Sequence, residues 1–380
     1  MIGVYRRCHT TPALGLLVFV AGCTRSTPDP SPSHPALASA PAFAFASASA
    51  SASARASSWP AALPKPTLPS PGPIQATGFP SDIRTCLPDP AAHAGFTRDG
   101  AELGYCMQGM AMRCELLDRD GNTRTMSSQR RGDSPGSDPA KEKPINDFIK
   151  DEGLPALTRG DCTLRPPPLT GTWSYPDIVV NVATIAASFK KGPGSSDEKL
   201  VSQPMVRIGG AIGGEPPVHP LSYSAPHHVM KPASLGEIPF NTASLNALAL
   251  SPDGSELGIV IHANCMEWCD EFQVVRMPTS RFASLVYNDV GYRAYKKGAL
   301  DRAAELFARA AFIDDTRELP AYNLACVYAR QGDAVRAEAA LNLAITRGDA
   351  AAVRARAAKD NDFDAVRTAP WFVRAVSPSP

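Results

Sequence analysis

Residues 284–351 read SLVYNDVGYRAYKKGALDRAAELFARAAFIDDTRELPAYNLACVYARQGDAVRAEAALNLAITRGDAA, and they repeat themselves at a spacing of 34. Val290 aligns with Leu324, Gly291 with Ala325, Ala294 with Tyr328, Gly298 with Gly332, Ala303 with Ala337, Phe307 with Leu341 and Ala310 with Ala344. Internal periods of 20–50 residues mark stacked supersecondary units. The residue types explain the unit. Gly291 and Ala325 let one helix approach the next, and Ala303 and Ala337 do the same from the other side. Gly298 and Gly332 end the first helix of each pair and turn the chain. Phe307 and Leu341 fill the space between. The pattern predicts two helical hairpins.

These positions resemble those of the tetratricopeptide repeat, a pair of antiparallel helices. The resemblance has departures: Tyr287 and Ala321 stand where the family has Trp, and Asp315 stands where a repeat usually closes with Pro. Pro320 opens the next helix suitably. The tail Asp360-Asn361-Asp362-Phe363-Asp364-Ala365-Val366-Arg367, with Pro370-Trp371-Phe372, resembles the closing segment of such arrays. Residues 281–376 are therefore expected to form a helical domain with a capping helix. By the resemblance, the first helix of each repeat lines a concave groove. Here that places Asn288, Tyr292, Tyr295, Lys296, Tyr322, Cys326 and Arg330 in it. Tyr and Arg are frequent interface anchors. The Lys/Asn set that grips a partner's terminal carboxylate is not matched.

The whole chain has 380 residues, enough for two or three domains, and a formal net charge of +1. A near-neutral balance excludes a broad nucleic-acid-binding surface, which needs clustered Lys/Arg. Arg6 and Arg7 precede a short apolar run, Leu14 to Ala21. The run is too short to span a bilayer and has the length of a secretory h-region. Val20-Ala21-Gly22-Cys23 resembles the lipobox of bacterial lipoproteins. That resemblance implies a signal peptide over 1–22, an acylated Cys23, and a membrane partner reached through lipid. Thr24, which is not Asp, favours the outer membrane by the same resemblance. Residues 23–81 are expected to be a disordered tether. From 24 to 80 there are twelve Pro, no Val and a single Ile, and Ala46–Ala54 alternates Ala and Ser. Such a segment has little apolar surface with which to offset ordering entropy.

Residues 82–280 read as β-rich and antiparallel. FTRDGAELGY (96–105) and LSPDGSELGI (250–259) match at an offset of 154, each with an Asp-Gly turn signal ahead of an apolar run. They resemble the SPDG-type motif of periplasmic β-propeller blades. A closed propeller needs at least about four blades, and no further copies occur between 127 and 245. A compact sandwich and a partial, propeller-like pair of blades both remain open. Apolar strands are expected at Ile178–Ile185 and Met205–Ile212, a polar loop at 127–143 and a short helix at 144–152. The fold class is thus α+β and multidomain.

Export permits disulfides. The economical pairing is Cys106–Cys114 across a hairpin, Cys265–Cys269 around a tight loop, and Cys86–Cys162 closing a long loop; six cysteines allow other pairings. Cys326 is expected as a buried thiol on a helix. His262, Cys265 and Cys269 offer a zinc alternative with N and S donors, but it lacks a second ligand pair, so no metal or other cofactor is expected.

Catalytic motifs fail on context. Gly132-Asp133-Ser134-Pro135-Gly136 has the G-x-S-x-G form but lies in a polar loop, without the strand and helix an elbow needs. Asp118-Arg119-Asp120-Gly121-Asn122 starts like a calcium loop, but Gln129 replaces the acid at position twelve. His227-His228 lies in an irregular stretch. The expected role is a non-catalytic envelope scaffold whose partners are other envelope proteins. The alternative is a glycan- or peptidoglycan-binding β domain using Trp173, Tyr175, Tyr223 or Trp268. The lipid anchor is directly testable: Cys23→Ser should move the protein from the membrane to the soluble fraction on ultracentrifugation, and a variant that stays membrane-bound after signal cleavage refutes it.

Overall fold

The computed structural model describes residues 59–77, 92–108, 112–128, 139–154, 158–160, 163–165, 172–189, 201–224, 242–265 and 269–377. Cys23, Cys86, Cys162, Trp268, the 132–136 loop motif, the paired histidines and the tether upstream of 59 lie outside them. The chain opens with β1 (Gly72–Pro73) and β2 (Gln75–Thr77), then a meander of β3 (Ala92–Phe96), β4 (Leu103–Gln108), β5 (Met112–Leu117) and β6 (Thr123–Ser127). Helix α1 (Pro139–Glu152) and the short strands β7 (Thr158–Gly160), β8 (Thr163–Arg165) and β9 (Thr172–Trp173) follow. Next come β10 (Ile178–Phe189), β11 (Val201–Ile212) and β12 (Val218–Ser224), then β13 (Thr242–Leu250), β14 (Glu256–Cys265) and β15 (Cys269–Pro278). The C-terminal part is helical: α2 (Thr279–Lys296), α3 (Leu300–Ile313), α4 (Leu319–Arg330), α5 (Ala334–Arg347), α6 (Ala350–Ala357), a 3-10 turn (Asn361–Val366) and α7 (Pro370–Val376). The fold is α+β, with strands in the middle and helices at the C-terminus. Helix α1 begins at Pro139, five residues before the expected start, and so takes in part of the expected polar loop.

The three larger sheets stack face to face. Strand alternation gives each sheet two faces. Leu116, Cys106 and Cys114 of the β3–β6 sheet pack on Ile145 of α1 and on Leu154. On the opposite face, Ala94 and Tyr105 meet Ala247 and Val260 of the β13–β15 sheet. That sheet's other face, with Leu248, Leu257, Ile259 and Ile261, shares a core with Val180, Val182, Val206 and Ile208 of β10 and β11 and with Phe282, Val286 and Val290 of α2. The expected boundary at 280/281 therefore divides strands from helices but not one core from another.

The two similar segments form matching turns. Thr97 and Ser251 each take a backbone bond from the Gly three residues on, Gly100 and Gly254, both at 2.8 Å. Thr97 Oγ1 donates to Asp99 Oδ1 at 2.7 Å, and Ser251 Oγ donates to Asp253 Oδ1 at 2.5 Å. The Ser251 bond is the leading cause that holds Asp253 down at a pKa of about 2, with bonds from Ser255 adding to it. Gly100 and Gly254 sit at φ 73° and 69°, which a side chain would resist. The turns also touch: Arg276 donates to Glu256 through Nε at 3.0 Å and reaches across to Gly100 O at 2.8 Å and Ala101 O at 2.7 Å. The Asp118–Asn122 stretch is a hairpin turn, with Asp118 Oδ1 accepting from Asp120 N and Asn122 N.

Cys106 and Cys114, opposite one another on β4 and β5, form a disulfide. Cys265 and Cys269 are register partners on β14 and β15, and His262 pairs in register with Phe272.

Part of the segment expected as a tether is packed. Residues 59–77 form a strap on the folded body. Trp59 meets Phe312 of α3 edge-on at 5.4 Å, Lys65 Nζ lies 5.4 Å from the same ring, and Leu63 is buried in the helical core. Further on, β1 pairs with β9, and β2 pairs in parallel with β10, which makes that sheet mixed rather than purely antiparallel. Ile74 and Ala76 point to the sheet core. Average composition hides this, because a few apolar residues with ready sites suffice to seat a short segment.

Gly209 illustrates how tightly the mixed sheet is built. A Cβ there would lie 1.8 Å from Val218 O. The missing side chain lets His219 on β12 reach Asn181 Oδ1 on β10 at 2.7 Å, and Asn181 Nδ2 donates to Thr77 Oγ1 of the strap at 3.2 Å. Gly209→Ala is expected to cost about 2–3 kcal/mol by overpacking, measured as a lower midpoint in urea unfolding.

Candidate functional site

The helical hairpins keep the 34-residue register down to their turn hydrogen bonds. Ala299 N donates to Ala294 O at 3.0 Å, and Asp333 N to Tyr328 O at 2.9 Å. Ala303 N reaches Ala299 O at 3.0 Å, and Ala337 N reaches Asp333 O at 2.9 Å. Gly298 and Gly332 share φ near 77°, at 78° and 76°. A Cβ on Gly291 would sit 3.0 Å from Phe307, so the small residue sets the α2–α3 approach. With turns this short, α2 and α3 pack antiparallel, as do α4 and α5.

Tyr292 and Tyr295 are three apart on α2 and share a face. Their rings stack with centroids 6.2 Å apart and planes at 15°. Lys296 Nζ lies 4.9 Å from the Tyr292 centroid, and the Arg330 guanidinium of α4 lies 4.8 Å from that of Tyr295. Lys296 and Arg330 are exposed and Tyr292 is half-buried. The four side chains make a cation–aromatic strip across α2 and α4. Each such contact contributes about 0.5–1 kcal/mol at exposed sites.

The remaining expected groove residues, and Tyr295 of the strip itself, are not open. Tyr322 and Cys326 are fully buried, and Asn288 and Tyr295 nearly so. Asn288 ties α2 to α4 by accepting from Asn323 Nδ2 at 2.9 Å. Tyr322 donates to Asp360 Oδ2 at 2.9 Å, the Cys326 thiol lies 3.9 Å from the same oxygen, and Tyr295 donates to Asp362. Phe363 meets Tyr322 edge-on at 6.0 Å, and the Arg356 guanidinium covers that ring at 4.1 Å. The expectation of one continuous groove is corrected accordingly: the segment after α6 lies on α4 and takes the deep half. Asp360, Asp362 and Arg356 were missed as part of this site. Two acids flanking Asn361 just before the apolar Phe363 were the available signal.

Burial drives the electrostatics of the covered half. It raises the Tyr322 phenol well above its ordinary range, with Cys326 and Asp360 adding to the effect. Burial likewise raises Asp360. Cys326, Asp360 and Asp362 offer ligand atoms within 4.8 Å of one another. Both carboxylates accept a phenol hydrogen bond, and Arg356 supplies positive charge beside Asp360. Asp362 Oδ2 and one Arg356 terminal nitrogen are buried without a hydrogen-bond partner among the described residues, so the cluster is a buried plug that is only partly hydrogen-bonded.

Three of the four aromatic residues expected on a glycan-binding face are in the core instead, and Trp268 lies outside the described residues. Trp173, Tyr175 and Tyr223 are all buried, and Trp173 and Tyr175 pack edge to face at 5.4 Å. Trp173 turns inward from β9 and Tyr223 from β12, while Tyr175 sits in the β9–β10 connection and meets Tyr287 of α2 edge-on at 6.5 Å. Compared with protein-family models and with curated proteins, the chain matches none.

The plug's ionisation has a definite sign. Asp360 has a folded-state pKa above its ordinary 3.8, so its charged form subtracts stability at neutral pH. That penalty fades as pH falls through the folded value toward 3.8. Wild type is therefore expected to gain stability relative to Asp360→Asn on going from pH 7 to pH 4, measured by thermal melts at matched ionic strength. Tyr322→Phe should cost about 1–3 kcal/mol at pH 7, by depriving a buried carboxylate of a donor.

Proposed function

We propose that this chain is a lipid-anchored envelope lipoprotein, acylated at Cys23, whose tetratricopeptide-like helices bind another envelope protein without catalysing a reaction. The observation that carries this reading is the strip of Tyr292, Tyr295, Lys296 and Arg330. It offers the half-buried Tyr292 and two exposed cationic heads, Lys296 over Tyr292 and Arg330 over the buried Tyr295. Tyr and Arg in such positions concentrate binding energy. The 34-residue period supports the tetratricopeptide likeness, since the turn bonds repeat with the sequence. The stacked sheets fit a partial, propeller-like arrangement in which the two Asp-Gly turns abut. The sheets then serve as a platform that presents α2. The lipobox-like Val20–Cys23 and the linker beyond it place the body at a membrane, with the outer membrane favoured by Thr24.

Affinity capture from detergent-solubilised envelope tests the reading. The baits are residues 24–380, unchanged and with Tyr292→Ala and Arg330→Ala together. Tyr322 is left intact because it belongs to the core. A prey retained by the unchanged bait and reduced at least tenfold by the altered one, with equal melting temperatures, is the expected result. A prey held equally by both baits removes the strip from the reading.

A further inference from the structure

The strap is held at two separated places. The first is an apolar seat: Trp59 against Phe312, Leu63 in the helical core, and Lys65 over Phe312. Among the described residues its hydrogen bonds are local to the strap, Leu63 N to Pro60 O at 2.9 Å and Trp59 Nε1 to Leu63 O at 3.3 Å. The second is hydrogen-bonded: β1 on β9, β2 on β10, and the Thr77–Asn181–His219 chain. Between them run Pro66, Pro69 and Pro71, which have no N–H to give. Side-chain packing holds the first seat and backbone pairing holds the second, so each can open without the other. The seats are also met in a fixed order by any pull from the N-terminal side, since residue 59 comes before residue 72.

We propose that residues 59–77 are a two-stage latch through which tension on the upstream chain reaches the folded body. In the first stage the Trp59–Leu63 seat lifts, uncovering Phe312 and the site of Leu63 on the helical layer. In the second, β1 and β2 leave β9 and β10. The latch rests on the fold alone; only the origin of the tension, a lipid at Cys23, rests on the function proposed above. The helices that carry the binding strip and the seat of the strap share one core, which includes Leu63, Tyr295 and Tyr322. Opening the first stage thus removes a core side chain from the layer that presents the strip.

Magnetic tweezers on residues 24–380, tagged at both ends, test the latch. The expected trace has a low-force step that releases residues 59–71, roughly 45 Å of contour at about 3.5 Å per residue, before the body unfolds. Trp59→Ala with Leu63→Ala should abolish that step, while Leu63→Met should retain it. Thermal melts of the three proteins identify the variants that remain folded. A trace without such a step, or a step that persists in the double variant, overturns the latch. Envelope capture through Tyr292 and Arg330 is a separate readout, so either proposal can fail without the other.

Discussion

Tyr287 is fully buried on α2, and its hydroxyl donates to Asp177 Oδ1 at 2.7 Å just before β10 begins. Arg309 of α3 holds the other oxygen of that carboxylate at 3.0 Å. Burial raises the Tyr287 phenol far above its ordinary range, which favours the protonated, donating form. The interaction fixes the one element on which both halves depend. Helix α2 buries twelve residues, with Phe282 and Val286 facing the sheets and Ala294 and Tyr295 facing the other helices. A helix apolar on both sides must be covered on both sides. The sheets cannot be closed without it, and the helical layer has no first wall without it.

The strands are arranged to give α2 a rigid floor. Arg276, whose side chain is almost wholly buried, is satisfied by Glu256 and by two carbonyls of the neighbouring turn. A buried guanidinium left unpaired would be costly, so these bonds fix how the two sheets meet. Gly258 lets them close: a Cβ there would stand 2.4 Å from Leu103. Arg293 then ties the far end of α2 to the β11–β12 connection through Pro216 O and, at 2.9 Å, Pro217 O.

The strip and the plug are two outcomes for one set of positions. Residues at equivalent places on α2 and α4 would line a common face in a longer array. The chain after α6 instead folds back on α4 through Asp360 and Phe363, so Tyr322 enters the core while Tyr292 does not. Short arrays must cover their open end, and here the cover takes half of the surface that sequence alone assigns to binding.

Several elements were legible from residues alone. The 34-residue spacing placed four helices, because helix approach demands small residues at fixed intervals. The Asp-Gly pairs placed two turns, because φ near +70° selects glycine. The hairpin between Cys106 and Cys114 placed a disulfide, because strand register brings opposite residues together. All of these are local in sequence. What escaped was decided at long range. The strap escaped because Leu63 and Ile74 are sparse in a Pro/Ala/Ser background, and only a finished core shows them their sites. The closure of the groove escaped because Tyr322 and Asp360 are 38 residues apart. The merging of sheets and helices escaped because nothing local to α2 shows that its two faces belong to different layers. The sequence by itself determined the elements and their turns, which follow from backbone sterics and periodicity. The tertiary structure alone decided which of their faces stayed open, since burial is a property of what packs against a surface and not of the residues that form it.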